Sequence, residues 1–76
     1  MPHVEIKCYS GRSDELKREC AYKVAEAIAA TFGCSKSSVS VAIKDFPKEE
    51  WKEKVWDVNI APEMDRLYKK PEYSMS

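Results

Sequence analysis

The chain has 76 residues, and its 13 basic side chains balance 13 acidic ones, for a formal net charge of zero. That balance argues against a phosphate-backbone binder, which carries a basic excess, so no nucleic-acid partner is expected. The length predicts a single domain over residues 1–76, and a domain this small buries only about 60% of the surface its unfolded chain exposes.

Hydrophobic residues make up 43% of the chain and glycine occurs only twice, a globular composition. Cys8, Cys20 and Cys34 are odd in number, and no two of them have C-x-x-C spacing. Neither a disulfide framework nor a zinc site is expected, and with His3 as the sole histidine a metal cluster is harder still to build. Reduced, mostly buried thiols suit a cytoplasmic protein. No apolar run approaches the roughly 20 residues of a membrane span, and the first residues show no secretory pattern.

The predicted elements begin with a strand from about His3 to Tyr9, in which Val4, Ile6 and Cys8 alternate with His3, Glu5 and Lys7. Ser10-Gly11-Arg12 reads as a turn. Ser13 is a good N-cap, and Asp14 and Glu15 suit the positive end of the helix that follows. Leu16, Cys20, Val24, Ile28 and Phe32 form its apolar stripe, widened by Ala21, Ala25 and Ala29, and Gly33 is its stop. A second strand is predicted from Val39 to Phe46. Strand, long helix and strand make a βαβ unit with parallel strands and a right-handed crossover.

The last third is less regular. Pro47 to Trp51 reads as a helical turn with proline at its first position. A short helix is predicted from Ala61 to Lys69, with Met64, Leu67 and Tyr68 inward and Pro71 ending it; Glu72 to Ser76 shows no pattern. The fold class is therefore α+β, a βαβ unit with short C-terminal helices. Both strands of such a unit are sheet edges with unpaired backbone groups, so self-association is expected.

Pro2 bears on chemistry. An initiator Met preceding a small residue such as proline is readily removed, which would leave a secondary amine at the start of a strand. An ordinary α-amino group has a pKa of about 7.7–8.0, and apolar neighbours lower it toward the range that proton-transfer catalysis uses.

Pro2, the run Gly11-Arg12-Ser13-Asp14-Glu15 with Lys17, and Ser38-Val39 resemble the 4-oxalocrotonate tautomerase family. The resemblance covers about the first 50 residues in register. Trp51, Trp56-Asp57, Ile60-Ala61-Pro62, Met64, Lys69-Lys70-Pro71 and Tyr73-Ser74-Met75 resemble the small bacterial phenylpyruvate tautomerase branch of that family. The resemblance implies a cofactor-free isomerase in which neutral Pro2 nitrogen moves a proton between carbon and oxygen of a 2-keto acid. It implies that Arg12 binds the substrate carboxylate, a task suited to a bidentate guanidinium, and that Trp51 lines the pocket. Where the hexameric enzymes of the family carry a second arginine, this chain has Ser40. That departure points to monocarboxylate keto acids such as phenylpyruvate. His3, beside Pro2, is a candidate for tuning or orienting the substrate.

The resemblance also implies a sheet completed by dimerisation. The hexamers bury the second sheet face, but Glu5, Lys7, Ser40 and Lys44 are costly to bury unpaired, so a homodimer is expected. Two other functions fit the same pattern. One is a dehalogenase or hydratase of the same superfamily, and the other is a non-catalytic interaction module that keeps the fold.

Overall fold

The computed structural model describes residues 1–75. Strand β1 spans His3–Tyr9, helix α1 spans Asp14–Phe32 and strand β2 spans Ser40–Phe46. The two strands are parallel and in register, with His3 opposite Ser40 and Tyr9 opposite Phe46. The inner face, toward α1, carries Val4, Ile6 and Cys8 beside Val41, Ile43 and Asp45. The outer face carries His3, Glu5, Lys7 and Tyr9 beside Ser40, Ala42, Lys44 and Phe46.

Local signals set the ends of α1. The Ser13 side chain accepts from the Leu16 N–H at 3.2 Å. Gly33 adopts φ 74°, and its N–H and that of Cys34 both reach the Ala29 carbonyl. A left-handed residue here favours glycine.

The apolar stripe does not lie flat on the sheet. Leu16 is 57% exposed, Phe32 is 69% exposed, and Ala29 is the buried residue of α1. Cys20 is exposed as well, against the expectation of buried thiols, while Cys8 and Cys34 are half-buried. Steps of four residues advance by about 40° per step at about 100° per residue. Over a 19-residue helix the stripe therefore winds off the sheet at both ends. Val24 and Ile28 stay half-buried, with Ala21 and Ala25 beside them.

Between α1 and β2 lies a 3₁₀ turn, Lys36–Ser38, capped by the Ser35 side chain. Val39 belongs to the end of this turn, so β2 starts one residue later than predicted. After β2, the Glu50 N–H returns to the Pro47 carbonyl at 2.9 Å, closing the 3₁₀ turn Lys48–Glu50 with proline just ahead of it.

The nine residues Lys52–Ile60, for which no element was predicted, form a π-helix. In an α-helix, at about 100° per residue, Trp51 and Ile60 would point to opposite sides. In the wider i→i+5 turn they share a side. Trp51, Val55 and Trp56 are buried together, with Phe46, Ile60, Met64 and Met75 packed against them. The last helix is a 3₁₀ segment, Ala61–Arg66, shorter than the predicted Ala61–Lys69. Leu67 is already extended, so Tyr68 is fully exposed instead of facing inward, and Pro71 is not the stop. The tail is less featureless than its sequence: Tyr73 packs on Trp56 with ring centroids 5.3 Å apart. Ser76 lies outside the described residues.

Candidate active site

One end of the sheet gathers three of the candidate residues. The Ser40 N–H donates to the Pro2 carbonyl at 3.2 Å, tying the residue before β1 to the first residue of β2. One residue on, His3 Nδ1 and Ser40 Oγ lie 2.6 Å apart. Met1 is fully exposed, open to removal, and Pro2 is half-buried behind it. With Met1 in place the Pro2 nitrogen is an amide and holds no basic lone pair. Once Met1 is gone it is a secondary amine.

The other end gathers the remaining two. Arg12 follows β1, and its Nη1 donates to the Tyr9 carbonyl at 3.1 Å. The Tyr9 ring meets Trp51 edge-on, with centroids 5.1 Å apart. Trp51 is buried, packs edge-on against Phe46 and donates its indole N–H to the Tyr73 hydroxyl at 3.3 Å. The six residue steps from His3 to Tyr9 place these two groups on the order of 20 Å apart. A single chain thus holds Pro2, His3 and Ser40 at one end and Arg12 and Trp51 at the other.

The charged side chains between them have partners within the chain. Lys44 meets Glu5 at 3.1 Å, and Lys7 donates to Asn59 Oδ1 at 2.7 Å. The Lys44 hydrogen bond holds the Glu5 carboxyl below the usual carboxylate range. On the inner face Lys17 reaches Asp45 at 2.8 Å. This bond lowers the Asp45 pKa and raises that of Lys17. Burial, then a hydrogen bond to Asp45, pushes the Cys8 thiol up, so it stays protonated and serves packing rather than nucleophilic chemistry.

Beside Arg12 a groove of about 630 Å³ opens between α1 and the sheet, lined among others by Ile6, Cys8, Leu16, Cys20 and Val24. It is the apolar surface that the winding of the helix stripe leaves uncovered.

Residues 2–53 match the family model for tautomerase enzymes. The chain belongs to the tautomerase family. It is an isomerase, and relatives named as tautomerases match it over nearly their whole length. Tautomerase PptA of Enterobacter sp. (strain 638) is 49% identical over 76 residues, covering 99% of this chain and all of the relative. Among solved structures, YwhB, described as a homologue of 4-oxalocrotonate tautomerase, is 40% identical with a TM-score of 0.59. That match covers 62% of this tautomerase and 77% of YwhB. The apo form of an unfused 4-OT is 31% identical with a TM-score of 0.62, covering 64% of this chain and 80% of the other.

Sequence reading missed Asn59, which anchors Lys7, and the role of Tyr73, which receives the Trp51 indole. Tyr73 was marked as part of the resemblance and as an aromatic residue in a polar tail, but not as the partner of Trp51. Nothing local marked Asn59, because its partner is 52 positions away.

Proposed function

We propose that this tautomerase interconverts the keto and enol forms of 2-keto acids such as phenylpyruvate, with Pro2 as general base after Met1 is removed. The observation that carries the reading is the Pro2–Ser40 bridge, which holds the Pro2 backbone at the tip of a sheet. The 76 residues act as one domain, in the cytoplasm, without a cofactor.

The separation of Arg12 from Pro2 leads to the assembly. Two copies joined along their free β1 edges about a twofold axis run antiparallel. The end of each β1 then approaches the start of the other, and Arg12 of the second copy comes toward Pro2 to hold the substrate carboxylate. The same pairing brings the exposed Leu16 and Cys20 of the two α1 helices toward one another. The paired charges on the outer face, and the C-terminal segment packed over one end of it, favour a homodimer over a hexamer. Burying ion pairs still costs more than burying apolar surface of the same size.

The test is an enzyme with a blocked N-terminus of confirmed mass. General-base contributions are typically about 10²–10⁴-fold, and phenylpyruvate tautomerisation should fall by that much. Full activity in the blocked enzyme would overturn the assignment of Pro2. Mixing blocked chains with Arg12→Ala chains should yield heterodimers with one intact site, built from Pro2 of one copy and Arg12 of the other, and one doubly damaged site, so activity returns on mixing. If each copy used its own Arg12, the mixture would gain nothing and lose nothing relative to its parts. A panel of enolised 2-keto acids and haloacrylates then separates tautomerase from dehalogenase.

A further inference from the structure

We infer that His3, oriented by Ser40, donates the hydrogen bond that stabilises negative charge on the substrate's carbonyl oxygen while Pro2 moves the proton. The inference rests on the proposed role of Pro2. In enolisation the C3–H bond breaks and its proton goes to the Pro2 nitrogen. The electron pair forms the C2–C3 double bond, and the carbonyl π pair moves onto oxygen. That oxygen then takes the proton from Pro2, leaving an enol and a neutral amine. The charged oxygen between these steps needs a donor in place.

The structure offers one at this end of the sheet. His3 and Ser40 are opposite each other in register, and the Pro2 carbonyl is tied to the Ser40 N–H. The short Nδ1···Oγ contact of 2.6 Å engages one ring nitrogen of His3. When the hydroxyl donates to Nδ1, the ring proton sits on Nε2, which points away from Ser40 as a donor. Glu5 and Lys44, the next charged pair on the same face, neutralise each other at 3.1 Å. Arg12 of the same chain lies at the far end of β1. His3 is thus a catalytic residue that keeps its proton, and Ser40 is a positioning residue.

Removing one such donor typically costs about 10²–10³-fold in kcat. His3→Ala should lose roughly that much kcat with KM changed far less, and the loss should appear in an enzyme whose fold, read by circular dichroism, is unchanged. His3→Gln, whose amide N–H reaches toward the place of Nε2, should recover at least about ten-fold of it. Ser40→Ala should lower kcat roughly ten-fold, with Ser40→Thr restoring it. Nitrogen NMR of the imidazole should show the Nε2–H tautomer in the parent and a mixture in Ser40→Ala. Undiminished kcat in His3→Ala, or His3→Gln as poor as His3→Ala, overturns the inference. The blocked N-terminus serves as the separate control: if it is fully active, the Pro2 reading fails, whatever His3 does.

Discussion

The βαβ unit and the segment that follows it are built on opposite plans. In β1, α1 and β2, residues 3–46, Ala29 alone is well buried, and Leu16, Cys20 and Phe32 face solvent. From Pro47 onward, Trp51, Val55 and Trp56 are buried around a shared centre, with Tyr73 and Met75 closing over them. The first half carries the family pattern and the candidate chemistry, yet leaves an apolar groove and two open strand edges. The second half carries little chemistry and completes its own packing against Tyr9 and Phe46. A surface left unfinished in the first half is what a second copy would cover. A finished cap in the second half occupies sheet surface that a larger assembly would need.

The sharpest way to break this contrast is to empty the cap. Trp56 is 5% exposed, and Trp→Ala in a core typically costs about 3–5 kcal/mol. Urea denaturation of Trp56→Ala should show a loss of that size. A loss under about 1 kcal/mol would mean that the cap is not the main core of the chain. Arg12 makes the opposite case. It is exposed and its hydrogen bond is to the Tyr9 carbonyl, so Arg12→Ala should leave stability nearly unchanged. Losing a hydrogen bond to a charged group costs roughly 1.5–3 kcal/mol, or about ten- to a hundred-fold in kcat/KM. Unchanged kcat/KM on phenylpyruvate would reduce Arg12 to a turn residue.

A smaller effect is expected at Gly33. No atom lies within 4 Å of a Cβ added there, so Gly33→Ala meets no clash and pays only for φ 74°. A left-handed alanine costs roughly 1–2 kcal/mol, and thermal unfolding should report it. No change would mean that the end of α1 rearranges without penalty.

The smallest effect is electrostatic. Glu5 and Asp45 both titrate below the usual carboxylate range, held there by Lys44 and Lys17. Their contribution is present above the usual carboxylate value and fades as pH falls through the lowered folded values. Lys17, whose pKa is raised by Asp45, contributes below the usual lysine value and loses its share as pH rises through its folded value. The melting temperature should therefore be flat near neutrality, with an acid shoulder and an alkaline one. Salt should flatten the share from the Glu5–Lys44 pair, whose side chains are 42% and 54% exposed. Lys17→Met should remove the share from Asp45. An acid shoulder untouched by either change would point to other carboxylates.

Much of the molecule is legible from the chain alone. The alternation of Val4, Ile6 and Cys8, the Ser13 cap and the Gly33 stop are local signals. Each acts over a few residues, so β1, α1 and β2 follow from them nearly to the residue. Pro2 and Arg12 stand out for the same reason, as a small residue after Met1 and a turn at a fixed distance beyond it. Other features arose only in three dimensions. A stripe spaced at four residues looks continuous in sequence but winds around a 3.6-residue helix, so its ends leave the sheet. The spacing of Trp51, Val55, Trp56 and Ile60 makes one face only in a π-type turn, whose period differs from the 3.6 residues of an ordinary helix. The Lys7–Asn59, Lys17–Asp45 and Trp51–Tyr73 partners are 52, 28 and 22 positions apart. Their meeting depends on the path of the whole chain. The same is true of the site. Sequence names its residues and, through the extended strand between them, sets Pro2 and Arg12 apart, but only the parallel pairing of β1 with β2 puts Ser40 beside His3, because those two residues are 37 positions apart and meet through the path of the chain.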